Sequence, residues 1–92
     1  MILSFKGKAT KALWGGRSSK LPADILQRAS DKLNVIDAAS SLESLRVPPS
    51  NHLEALSGNR KGQYSIRINN QWRICFLWKD GNAQEVEITD YH

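Results

Sequence analysis

Apolar residues recur along this chain in two distinct rhythms, and the change from one to the other divides it into halves. From Pro22 onward Leu26, Ala29, Leu33 and Ile36 return at three- and four-residue steps, predicting an amphipathic helix over roughly residues 22–38. Pro22 suits a first helical position and Asp24 the positive end of the helix. Upstream, ILSF reads as a short strand, and Lys6 to Trp14 as a short helix closed by Gly15 and Gly16. Ser40 to Leu45 adds a helical turn, and the Val47-Pro48-Pro49-Ser50-Asn51 segment is a loop, since paired prolines exclude regular helix and sheet.

From Gln63 the period falls to two. Tyr64, Ile66 and Ile68 alternate with Ser65, Arg67 and Asn69, and after an Asn69-Asn70 turn Trp72, Ile74, Phe76 and Trp78 alternate with Arg73, Cys75, Leu77 and Lys79. Asp80-Gly81 marks a tight hairpin of the primed type. A last strand over residues 84–90 sets Val86 and Ile88 against Glu85, Glu87 and Thr89. The expected order is β-α-α-β-β-β, an α+β chain with a C-terminal antiparallel sheet and helices over one of its faces.

Length limits this to one domain, residues 1–92, and 40% apolar residues suffice for one small core without disulfides or a structural metal. The lone Cys75 excludes an intramolecular disulfide, and no second cysteine supplies zinc-ligand spacing. No apolar run is long enough for a signal peptide core or a membrane span, so a cytoplasmic protein without membrane contact is expected. P-loop, dinucleotide and zinc motifs are missing, and no cofactor is called for.

The net charge of +4 is unevenly distributed. Residues 60–79 carry Arg60, Lys61, Arg67, Arg73 and Lys79 without one acid, and Lys6, Lys8, Lys11, Arg17 and Lys20 precede the first acid, Asp24. Two such stretches can form a positive surface for a polyanion, or can be solvated surface. Arg67 and Arg73, on adjacent strands, should project from one sheet face. Two guanidiniums there match phosphate oxygens, or pair with Glu85 or Glu87 across the sheet. Two further groups could move protons: His52 with Glu54, and the terminal Asp90-Tyr91-His92, whose imidazole titrates near neutrality. The tryptophans and Tyr64 sit in periodic apolar positions, which favours packing over base stacking.

The opening I-x-S-F, the helix leading into VIDAA, the block LSGNRKGQYSIRINNQWRICF and the terminal D-Y-H together resemble the HigB branch of the RelE/ParE toxin superfamily over essentially the full length. That resemblance implies a compact RelE-like fold and a toxin neutralised by a HigA-like helix-turn-helix antitoxin, with operator DNA engaged only through that antitoxin. It also implies ribosome-dependent cleavage of messenger RNA in the A site by 2′-hydroxyl attack, without a metal. Arg73 would contact the scissile phosphate, with Asp90, Tyr91, His92 and Glu54 as the catalytic surface and Arg60, Lys61, Arg67, Lys6 and Lys8 holding RNA or ribosome. Some HigB members carry a histidine where this chain has Glu54 and a lysine where it has Ser57, which leaves either Glu54 or His92 as the base. A ParE-like gyrase poison and a non-catalytic ribosome- or RNA-binding module are the alternatives.

Overall fold

The computed structural model describes residues 1–90 and joins two helices to a four-stranded antiparallel sheet in the order β1-β2-β3-β4. Helix α1 spans Lys8–Trp14 and α2 spans Leu26–Ala38. The strands are β1 (Glu54–Ala55), β2 (Tyr64–Arg67), β3 (Trp72–Lys79) and β4 (Asn82–Asp90). None of the described helices is long and apolar enough to cross a membrane.

The period-three-to-four stripe on α2 buries Ala29, Leu33 and Ile36 against Ile66, Ile74, Phe76, Val86 and Ile88 from one sheet face. Tyr64, Trp72 and Trp78 pack around the edge of this core, and the rings of Phe76 and Trp78 meet edge to face at 6.4 Å. Fully burying a side chain of this size contributes about 1.5–3 kcal/mol, so this face supplies most of the driving force for folding. Helix α1 is tied in by a polar contact as well: buried Thr10 accepts a hydrogen bond from the Ile88 amide at 3.0 Å.

The structure adds β1, which the pattern does not predict, and three predicted segments differ in form. The ILSF segment is not a full strand: Ile2 and Phe5 each make a single parallel bridge to β4, at Ala83 and Val86. The second helix divides, with a 3-10 turn at Ala23–Ile25 before α2, and Pro22 stands just ahead of that turn. The proline loop holds one 3-10 turn, Pro49–Asn51, because Pro49 has the backbone φ such a turn needs at its start.

The sheet also carries a bulge that alternation alone does not reveal. Cys75 pairs with Glu87 but Leu77 pairs with Gln84, so the two strands are out of step between them. Glu85 takes a left-handed φ of 49°, and its amide donates to Ser4 Oγ at 2.9 Å. The bulge brings Ala83 and Val86 both into the core despite their odd spacing. At the hairpin, Asp80 and Gly81 have φ of 53° and 79°, the paired positive values of the primed turn.

Candidate nucleic-acid interface around Arg73

The face of the sheet turned away from the helices is polar, and its centre is Arg73. Arg67 and Arg73 are direct register partners, as are Ser65 and Cys75, so the expectation that both arginines share a face holds. Their environments differ. Arg67 is half-buried at the end of β2, whereas Arg73 is 5% exposed. Burial of a guanidinium demands partners. Arg73 Nε donates to Ser65 Oγ at 2.8 Å, and Nη2 donates to the His52 carbonyl at 2.7 Å while lying 3.3 Å from Glu54 Oε1. The planar fork is therefore held along two directions, and its charge is met by a carboxylate that is itself 51% exposed.

Why the chain delivers these partners is a matter of local geometry. Ser65 lies opposite Glu54 across β1 and β2, which sets the carboxylate beside the arginine. His52 adopts the left-handed conformation, φ 47° and ψ 55°, directly after the 3-10 turn. That turn is anchored by Asn51, fully buried, whose Nδ2 donates to the carbonyls of Leu45 and Val47 and whose Oδ1 accepts from Lys32 Nζ on α2. A buried amide satisfied on both ends fixes the loop, and the loop fixes the carbonyl that caps Arg73.

Neither Glu85 nor Glu87 pairs with Arg67 or Arg73 in a described ion pair. Arg60 takes Glu87 instead, Nη2 to Oε1 at 3.2 Å, and its Nη1 donates to Gln63 Oε1 at 3.1 Å. Arg60 is thus half-buried and engaged within the sheet, while Lys61 is exposed beside it. The pair stands next to Cys75, whose thiol is pushed above its ordinary range by burial, an effect Arg60 partly offsets. A thiol held protonated in this way is no nucleophile.

Asp90, exposed, closes β4 opposite Trp72 and accepts from Gln71 Nε2 at 2.9 Å. The preceding Thr89 is the register partner of Arg73. Tyr91 and His92 lie outside the described residues. Lys6 and Lys8 are exposed, and Lys8 borders a hollow with Lys11 and Arg17 that shares no residue with the Arg73 cluster. The structure therefore brings together Arg67, Arg73, Glu54 and the strand leading into the tail, and sets Lys8 at the separate hollow, while exposed Lys6 is tied by its backbone amide to the Val86 carbonyl of β4. Ser65 and the His52 carbonyl are added. Ser65 was accessible through the same alternation that selects Arg67, but a backbone carbonyl leaves no mark in a sequence.

Residues 3–92 match the family model described as the RelE-like toxin HigB of type II toxin-antitoxin systems. This chain belongs to that family. It is 41% identical to Toxin HigB-1 of Vibrio cholerae over 85 residues, covering 90% of each, and 38% identical to Endoribonuclease HigB of Proteus vulgaris over the full length of both. Among solved structures, a YafQ mutant from E. coli superposes with a TM-score of 0.62 at 11% identity, covering 98% of this chain and 93% of that one. YoeB in its complex with YefM from Staphylococcus aureus gives 0.58 at 20% identity, with 100% and 98% covered. At such identities these two likenesses concern the fold, and they place this HigB-like toxin among RelE-like α+β structures. The family block around Arg73 is the same stretch that builds β2, the turn and β3, so the motif and the polar face coincide.

Proposed function

We propose that this toxin is a metal-independent endoribonuclease that cuts messenger RNA in the ribosomal A site and is neutralised by a HigA-like antitoxin. The observation that carries the reading is Arg73: a nearly buried guanidinium, oriented by Ser65 and the His52 carbonyl, beside an exposed carboxylate and on the strand paired with the one that runs into Asp90-Tyr91-His92. Such an arginine stays charged and is already aimed, so it needs little reorganisation as charge develops on a phosphorus centre. The likeness to Endoribonuclease HigB of Proteus vulgaris supports the same chemistry, and the YoeB-YefM toxin-antitoxin complex of Staphylococcus aureus supports an antitoxin partner.

In this mechanism the base, Glu54 or His92, takes the proton from a ribose 2′-hydroxyl as its oxygen attacks the adjacent phosphorus. The phosphorus-to-5′-oxygen bond breaks, and His92 or Tyr91 protonates the departing oxygen. The products are a 2′,3′-cyclic phosphate and a 5′-hydroxyl. Arg73 offsets the negative charge at phosphorus, Arg67 and Lys61 hold flanking phosphates, and the ribosome positions the message.

Expression of the toxin, followed by mapping of message ends and assay of gyrase-linked DNA breaks, separates the readings. Codon-associated ends bearing cyclic phosphate are expected. Gyrase-linked breaks with intact messages would instead assign a ParE-like poison, and arrest with ribosome binding but no new ends a non-catalytic module.

A further inference from the structure

A cleft of about 290 Å³ opens where the β2–β3 turn meets α2, sharing Arg67 and His52 with the Arg73 cluster and otherwise lined by different residues. Arg28 and Lys32 come to it from α2, Arg67 from the end of β2, and Asn69 and Asn70 from the turn, with His52 on the remaining side. Arg28 and Lys32 are one helical turn apart and so share a face. None of the residues lining the cleft is acidic, and among the described residues Arg28, Lys32 and Arg67 form no ion pair.

Three cations around one small concavity repel one another unless a ligand brings negative charge. The ligand that fits is acceptor-rich and compact, since the lining is dominated by guanidinium, ammonium and amide donors. Two links tie the cleft to Arg73. His52 gives its carbonyl to Arg73 and also lines the cleft. Arg67 is the cross-strand partner of Arg73, a separation of about 4.5–5.5 Å between such residues. An anionic polymer lying at Arg73 therefore meets the cleft at a neighbouring unit. An acidic peptide would supply charge but not a regular spacing of anions along this path.

We infer that the cleft formed by Arg28, Lys32 and Arg67 is a second phosphate subsite, which holds the phosphodiester of a nucleotide neighbouring the one at Arg73 on single-stranded RNA. This rests on the RNA-cleaving reading of the Arg73 face. Lys32 has a second duty, since its ammonium also anchors Asn51. Arg28 does not, and it is exposed, which makes it the cleaner probe.

The test uses the full chain and a 2′-deoxy oligonucleotide that cannot be cleaved by 2′-hydroxyl attack, with binding followed by fluorescence anisotropy between about 50 and 200 mM salt, as ~0.7 of slope per phosphate contact is expected for single strands. Arg28→Gln should lower the slope of log K against log salt, and R28Q with R67Q should lower it by about 0.7, the loss of one phosphate contact, with wild-type melting curves. A single methylphosphonate at the target linkage should weaken wild-type binding more than it weakens R28Q with R67Q. An unchanged slope in both variants, while wild-type toxin still cuts messages on ribosomes, overturns the subsite and leaves the nuclease standing. The predicted slope changes in a toxin that cuts no message keep the subsite and remove the nuclease. If R28Q loses affinity for a polyglutamate peptide and keeps the oligonucleotide slope, the cleft docks acidic peptide and the proposal is wrong.

Discussion

The two faces of one sheet follow different rules. On the helix side, Ile66, Ile74, Phe76, Val86 and Ile88 are buried by shape and area, and many residues share the work. On the far side, Arg73, Ser65, Glu54, Arg60 and Glu87 are joined by specific donors and acceptors, each with a named partner. Among the described residues no buried side-chain nitrogen or oxygen lacks a hydrogen bond. The contrast teaches that apolar packing is spread over the first face while specific polar pairing is concentrated on the second, so substitutions on the two should fail in different assays.

The largest effect should come from the packed face. Phe76→Ala removes a fully buried ring from the centre of β3, and by analogy with other buried aromatics should cost about 3–5 kcal/mol. Urea denaturation reads it directly, and a loss below ~1 kcal/mol would mean that this face is not the structural one.

Glu54→Gln probes the other face at nearly constant shape. If Glu54 is the base, message cleavage falls by about 10²-fold or more, while ribosome binding and the denaturation midpoint hold. Wild-type cleavage would pass the role of base to His92. A half-exposed side chain such as Glu54 has little packing to lose, so a large stability change would contradict the division between faces.

The packed face was readable from the sequence because burial follows periodicity: α2, β2 and β3 each announce their apolar side by spacing alone. The bulge was not. Ala83 and Val86 point inward together only because Glu85 adopts a positive φ, stabilised by Ser4 from the other end of the chain. On the polar face the sequence placed Arg67 and Arg73 side by side, but it could not say which carboxylate answers which arginine. Glu87 turned to Arg60, and Arg73 met Glu54 through the two-residue strand β1, which is too short for periodicity to detect. The capping carbonyl of His52 depends on Asn51 and Lys32, a tertiary arrangement with no local pattern.

A smaller effect separates the faces by pH. Burial raises the Cys75 thiol, so the folded state keeps the proton longer than the unfolded chain does. Its contribution to stability is complete below about pH 8.5 and is lost as pH rises through the folded value. Cys75→Ala should flatten this alkaline decline, measured as the difference in urea midpoint between the two proteins from about pH 8 upward, and parallel profiles would refute it. The smallest effect belongs to the surface. Arg46 and Glu43 pair at 2.8 Å with both side chains largely exposed, and Arg46→Ala should change stability by no more than about 0.5 kcal/mol.

Arg73 tests the central claim most directly. Message cleavage on programmed ribosomes should be compared for wild type and Arg73→Ala, after circular dichroism and urea denaturation have shown the variant folded. Loss of a preorganised charge at the reacting phosphate predicts a fall in cleavage rate of about 10²–10³-fold with ribosome binding retained. Cleavage at the wild-type rate by the folded variant would contradict an active face centred on Arg73.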